Sequence, residues 1–441
     1  MESFEHRVAR QSRVVVHEHV TALVEDADDV KRRELFANDL PERMAEVGCW
    51  TSVRLAHDGG RQLLEENDSK DARSSATARL RAARYLNEGK MVLFRYDLCK
   101  REGNHLPHKH KDTEIDPYFN LPGFPDSCNF HVTHLHRFLR AADGTDPWSR
   151  FFQPQLGSSL DSFGWLCNTA EEMEPLGLDI LRRYTNRPVW GIGPLIPRGM
   201  TSSGVIGQHT GREPGVPTET CLRWLDSHQP RSVLYVSFGS QNSIGQQQMM
   251  ALAEGLEDSG RPFVWVVRPP VEFDVRGEFR ADQWLPRGFE ERGQGLVVRG
   301  WAPQPEILCH GSTGAFVSHC GWNSIVESLS QGVPLVGWPL AAEQGYNAKM
   351  LVEEMGVCVE LTRGVESRIE REQVRDVIER VMGEGEEGEG LRRRAGEIRD
   401  IITRAVAMDS EEKEGGSSVK ALDDFVTALL LSHQKKPDSA S

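Results

Sequence analysis

The sequence predicts an α/β protein made of doubly wound parallel sheets in two domains. Three observations carry this. The chain has 441 residues, too many for one ordinary core. Beyond Glu219, apolar strand-like runs alternate strictly with amphipathic helix-like runs. Those strands ("VLYVSFGS", "FVWVV", "GAFVS") are nearly continuous in apolar residues, as strands buried on both faces must be.

In chain order, residues 1–106 read differently from the rest. They are dense in charge of both signs, and only "RVVVHEHV" and "MVLFRYDL" look like strands. From Pro107 the texture changes. "FGWLCNTAEEME" reads as a strand running into a helix, and "PVWGIGPLIP" as a short strand closed by prolines. Residues 107–199 are therefore expected to complete a first domain. Met200 to Glu219 is rich in Gly, Ser, Thr and Pro and reads as a linker. Residues 220–415 carry the alternating pattern, beginning with a helix at "CLRWLDS". Helices follow at "GQQQMMALAEGLEDSG", "QPEILCHG", "SIVESLSQG", "GYNAKMLVEEMG" and "REQVRDVIERVMG". Strands fall at "GLVVRG", "PLVGWP" and "GVCVEL" besides those quoted above. The glutamate–glycine run Gly383 to Gly390 is expected to be a solvated loop. Residues 416–441 predict a final helix and a polar tail.

Composition excludes several classes. Hydrophobic residues at 38% and charged residues at 27% fit a globular chain rather than a disordered one. The net charge of -14, without a basic stripe, speaks against a nucleic-acid partner. No run reaches the roughly 18 apolar residues of a membrane span. The charged N-terminus lacks the apolar stretch of a secretory signal. Eight scattered cysteines (Cys49, Cys99, Cys128, Cys167, Cys221, Cys309, Cys320, Cys358) form no C-x-x-C pair, which fits reduced thiols and a cytoplasmic location.

Polar and aromatic residues collect where the later strands end: Gly239 and Ser240, Trp301 and Gln304, His319 to Ser324, and Glu343 with Gln344. In open α/β sheets, ligands bind outside those ends, so the four exits predict one crevice. A helix starting after His319–Gly321 offers unpaired N–H groups and a partial positive charge. With Asn323, Ser324 and His319 it makes a cradle suited to phosphate. The plainer alternative is that Ser324 and Glu327 form a capping box that merely starts the helix. Trp301 is either a flat surface for a base or a core indole. His319–Cys320 matches no zinc spacing, and no metal or cofactor is expected.

The stretch "WAPQPEILCHGSTGAFVSHCGWNSIVESLSQGVPLVGWPLAAEQ", Trp301 to Gln344, closely resembles the signature of plant secondary-product UDP-glycosyltransferases. W-A-P-Q, H-C-G-W-N-S, the glutamate three residues beyond the serine, and the closing acidic residue with Gln all stand in register. "VLYVSFGSQ", "FVWVVRPP", "WLPRGFEER" and "GSSVKALDDF" resemble the family as well, and the likeness covers roughly residues 107–430. It implies a GT-B architecture, two Rossmann-like domains facing a cleft, with the N-terminal one incomplete here. It implies that Trp301 stacks on uracil and the Ala302 backbone bonds its edge, while Gln304 and Glu327 hold the ribose. His319, Asn323, Ser324 and nearby Ser240 would bind the diphosphate. Trp322, Glu343 and Gln344 would face the sugar, with Glu343 where an aspartate is more usual and Gln344 as in glucosyltransferases. The partners implied are UDP-glucose or a related UDP-sugar and a small lipophilic acceptor. The family's charge stabilisation needs no metal.

The family reaction inverts the sugar's anomeric centre, using an N-terminal histidine in a Gly-His loop as base and an aspartate to orient it. No such loop precedes Pro107. His19 in "RVVVHEHV" is the one weak candidate, and the catalytic base stays unassigned. The segment before "LPGFP" is shorter than an acceptor domain requires, as if substituted, divergent or mis-spliced. An Asp26–Asp28 D-x-D is expected by chance in so charged a segment. The histidines between His105 and His136 are expected to serve a loop-to-helix segment rather than a metal. Two functions therefore stand side by side: an active glucosyltransferase, or a UDP-sugar-binding remnant without turnover. A UDP-sugar epimerase of the same shape fits the motifs less well.

Overall fold

The computed structural model describes residues 50–53, 118–121, 123–135, 150, 160, 162–196, 215–240, 242–274, 277–364, 368–408 and 414–434. Both strands expected before Pro107, His19, and Asp26–Asp28 lie outside the described residues, as do His105, His108, His110 and His136.

The N-terminal part contributes β1 (Trp50–Val53), β2 (Tyr118–Asn120), β3 (Asn129–His131), β4 (Gly164–Cys167), α1 (Pro175–Thr185) and β5 (Val189–Gly191). β2 and β3 form an antiparallel pair, and a 3-10 turn, Val132–His134, follows β3. β4 runs parallel to β5, and β1 adds to β4 antiparallel. No sequence pattern pointed to β1.

The larger lobe follows: α2 (Thr218–Asp226), β6 (Val233–Ser237), α3 (Gln246–Asp258), β7 (Phe263–Val267), α4 (Ala281–Trp284), β8 (Gly295–Arg299), α5 (Gln304–Cys309) and β9 (Thr313–Ser318). It continues with α6 (Trp322–Ser330), β10 (Leu335–Gly337), α7 (Gln344–Glu353), β11 (Cys358–Glu360), α8 (Arg371–Met382), α9 (Glu386–Ala405) and α10 (Ser417–Gln434). Its six strands run in the order β11-β10-β9-β6-β7-β8, all parallel. Side chains alternate across the sheet because the strand period is two. Val233 and Tyr235 pack on one face of β6, and Leu234 and Val236 on the other. Both faces are covered by helices, which is why these strands read as continuous apolar runs.

The chain leaves β6 toward β7 and β8, then returns to lay β9 against the other side of β6. The crevice at such a switch point is where a doubly wound sheet binds its ligand. Helix α10 crosses back to the smaller sheet, where buried Phe425 and Leu429 pack on Leu166 and Ile192. Each such buried side chain stabilises by about 1.5–3 kcal/mol.

Two expectations are corrected. The run Gly383 to Gly390 is not a loop, because α9 begins at Glu386. Its lack of apolar periodicity concealed a helix start stabilised by charge. Glu386, Glu387 and Glu389 occupy the first turn, at the positive pole of the helix dipole. Arg380 grips Glu387 through two bonds of 2.7 and 3.0 Å and holds its carboxyl below the usual range. Gly388 lies so close to the end of α8 that a Cβ there would sit 2.5 Å from the Gly383 carbonyl oxygen. The second correction is a boundary. Helix α2 begins at Thr218, inside the segment read as linker up to Glu219.

Candidate active site

Contacts link the four strand exits near the switch point. After β6, Gly239 adopts φ +70°, a conformation that strains other residues. It also approaches His319 so closely that a Cβ at 239 would stand 2.6 Å from that ring. Gly321 flanks the same ring, with a virtual Cβ 2.5 Å from His319 Nε2. Two glycines thus seat a buried imidazole between the exits of β6 and β9. Ser240 follows Gly239 and is half-buried.

Gly321 is the N-cap of α6, and among the described residues no side chain caps that end. The first N–H groups of α6 therefore have no helical partner and carry the positive pole of its dipole. Asn323 and Ser324 are the second and third residues of this helix. Ser324 accordingly does not start it, which sets aside the capping-box alternative. Cys320, just ahead, sits in the left-handed region at φ +61°. That conformation costs a residue with a Cβ about 1–2 kcal/mol.

Glu327 lies one turn along α6 and meets the exit of β8. Gly300 turns the chain at φ +83° into Trp301, Ala302 and then α5. Gln304, first in α5, donates through Nε2 to Glu327 Oε2 at 2.6 Å and to Ser324 Oγ at 3.2 Å. Its Oε1 accepts from the Tyr235 hydroxyl at 3.2 Å. Burial pushes that phenol's pKa up, so it remains a donor. Both N–H donors of Gln304 and one lone pair of its Oε1 are thus used, and the carboxamide has one orientation. Sequence reasoning missed Tyr235. Its position inside an apolar strand marked it as core, and only its hydroxyl hinted at more.

Trp301 is half-buried, and its carbonyl accepts from Gly215 N at 2.7 Å, ahead of α2. Ala302 is buried, with its carbonyl bonded to Gln304 N at 2.8 Å. At the fourth exit, Gln344 Oε1 accepts from Leu340 N at 2.9 Å and Ala341 N at 2.8 Å. Its remaining polar valence is the Nε2 donor. Glu343, the N-cap of α7, is buried beside it. Trp322 is placed differently from the other candidates. Its indole N–H donates to the Asn168 carbonyl at 2.6 Å, joining α6 to the exit of β4 across the cleft.

The two described histidines of the expected loop-to-helix segment have structural work. His131 N donates to His134 Nδ1 at 3.1 Å, within the 3-10 turn that follows β3. A cavity of about 610 Å³ lies at the opposite pole, where β9 and β10 begin. Arg392 on its wall donates to the carbonyls of Val381 and Gly383, completing the end of α8. Among the described residues, no helix is long and apolar enough to cross a membrane.

Comparison with known proteins adds a family and a fold. A family profile for UDP-glucuronosyl and UDP-glucosyl transferases matches residues 205–385. UDP-glycosyltransferase 92A1 of Arabidopsis thaliana is 42% identical over 327 residues, 73% of this chain and 64% of its own length. The abscisate beta-glucosyltransferase of Phaseolus angularis is 34% identical over 352 residues, 76% of this chain and 70% of its own. The fold is similar to that of a Phytolacca americana glycosyltransferase solved with UDP-2-fluoro-glucose and pterostilbene. That similarity has a TM-score of 0.60 at 31% identity, covering 76% of this chain and 68% of the other. The chain thus spans about two thirds of the length of these relatives.

Proposed function

Because this chain belongs to the plant UDP-glycosyltransferase family, we propose that it transfers a hexose, glucose by preference, from a UDP-sugar to a hydroxyl of a small lipophilic acceptor. The observation that carries this reading is the locked set Tyr235–Gln304–Glu327–Ser324 beside the uncapped start of α6. Gln304 orients the Glu327 carboxylate through Oε2, which places this acceptor to meet a ribose hydroxyl. Ser324 Oγ receives its hydrogen bond from Gln304, so its own proton is directed to an anion. Asn323, His319 and Ser240 supply further donors to a diphosphate, and Trp301 offers its face to uracil while the Ala302 backbone meets the base edge.

On the sugar side, Gln344 donates and Glu343 accepts, a complementary pair for vicinal hydroxyls. Trp322 holds the facing lobe at the sugar's edge. The leaving diphosphate gains charge as the glycosidic bond breaks. The α6 dipole, its first-turn amides and His319 stabilise that charge, so the reading calls for no metal. The transfer inverts the anomeric centre, and the scattered free thiols favour a cytoplasmic location.

The absence of a Gly-His loop before Pro107 favours a second reading, a protein that holds UDP-sugar without turnover. Purified chain, UDP-glucose and a broad panel of hydroxylated acceptors separate the two. Glycoside formation with matching UDP release supports transfer. UDP binding with zero product supports the second reading, and absence of both removes the donor-site assignment.

A further inference from the structure

Cys320 holds a constrained backbone conformation at the site. It is fully buried, lies in the left-handed region at φ +61°, and stands between His319 and the start of α6. The reversal at this residue brings the His319 ring over Gly321 and aims the first amides of α6 into the crevice. A residue with a side chain stays in such a conformation only where its surroundings impose it. Both of its backbone groups are held by side chains. Its N–H donates to Ser318 Oγ at 3.1 Å, and its carbonyl accepts from Asn347 Nδ2 at 2.9 Å. Ser318 is its near neighbour on β9, but Asn347 comes from α7, after a different strand. The same Nδ2 lies 3.5 Å from Glu343 Oε1. One carboxamide therefore ties the exit of β9 to the exit of β10.

We propose that Asn347 is a positioning residue for the diphosphate cradle: it holds Cys320 in the left-handed conformation and so fixes the direction of the α6 amides. This rests on the donor-site reading above. Asn347 itself touches neither base nor diphosphate. Removing its donor frees the Cys320 carbonyl, lets φ relax toward extended values, and swings Gly321 and the first turn of α6 away from the anion. Glycine at 320 adopts the left-handed region without strain and needs no such clamp.

That asymmetry provides the test. UDP affinity is measured by calorimetry, and uridine affinity by competition, for the wild type, Asn347→Ala, Asn347→Asp, Cys320→Gly and Asn347→Ala/Cys320→Gly. Melting curves confirm that each is folded, since Cys320 Sγ packs against Gly337 beside Cys358. The expected result is a tenfold or greater loss of UDP affinity in Asn347→Ala, with uridine affinity unchanged. Asn347→Asp, which points a carboxylate at the carbonyl, loses at least as much. The double variant returns to within about threefold of Cys320→Gly alone, a rescue that a packing role for Asn347 would not give. The proposal is overturned if Asn347→Ala binds UDP like wild type, if uridine and UDP weaken equally, or if glycine at 320 restores nothing. Should the wild type itself not bind UDP, the donor-site reading fails; wild-type binding with an indifferent Asn347→Ala overturns this inference alone.

Discussion

The two sides of the cleft are held to the chain by different rules. On the larger lobe, each functional residue sits within a few positions of the end of the strand that places it: Gly239 after β6, Trp301 after β8, His319 after β9, Glu343 after β10. Where the smaller side meets the larger lobe, the contacts join residues far apart in sequence. Trp322 meets Asn168 across 154 positions, and Arg363 reaches the Tyr118 hydroxyl across 245. The first kind of order is local and repeats with each β/α unit. The second depends on how the lobes dock and leaves no periodic trace.

The sharpest way to break this comparison is at His319. If the cradle is self-sufficient on the larger lobe, His319→Ala lowers turnover by a hundredfold to a thousandfold, about 3–4 kcal/mol of transition-state stabilisation. UDP release from UDP-glucose reads it. A loss below tenfold would place charge stabilisation elsewhere.

The docked side is probed by acid. His134 is buried between β11 and α7, and its pKa is lowered to about 4 by burial, then by Lys349, Arg363 and His131. Its Nδ1 accepts from His131 N, so the neutral ring carries its proton on Nε2, 4.0 Å from Glu360 Oε1. The unfolded chain takes up the proton near pH 6.5 and the folded chain only near 4. Stability therefore falls as pH drops through that window, by at most about 3 kcal/mol. Burial raises the pKa of Glu360, which works in the opposite direction and reduces the net loss. Melting between pH 7 and 4 should show the decline, and His134→Asn, which keeps an acceptor, should flatten it. A decline of equal size in that variant would assign the acid sensitivity to other groups.

Smaller effects test the network at the β8 exit. Glu327→Ala strands the Gln304 amide and should weaken UDP binding by about 1–3 kcal/mol in calorimetry. An unchanged affinity would remove the ribose assignment. Tyr235→Phe deletes one hydrogen bond and should cost about 0.5–1.5 kcal/mol. The penalty should shrink with 2′-deoxy-UDP if the bond acts through the ribose contact. Equal penalties for both ligands would make Tyr235 a packing residue.

The contrast also explains what could be read from sequence. All six parallel strands of the larger lobe were legible, because burial on both faces requires unbroken apolar runs. The strand exits were legible because polar residues interrupt those runs only at their ends. The start of α9 was hidden, since its support is charge at a helix terminus and a close glycine contact rather than a repeating apolar face. Tyr235 and Asn347 were hidden for another reason. Each acts through a partner placed by a different strand exit, and no spacing along the chain announces that meeting. The docking of Trp322 on Asn168 was likewise invisible, because the motif around Trp322 identifies its own helix and nothing across the cleft.

The central claim is that the larger lobe grips a nucleoside diphosphate at the β6–β9 switch point. Thermal unfolding of the wild-type chain against increasing UDP measures this most directly. Binding at one site should raise the melting temperature steadily, with about 2.7 kcal/mol of added stability at a hundred times Kd. A melting temperature unmoved by millimolar UDP would contradict the account.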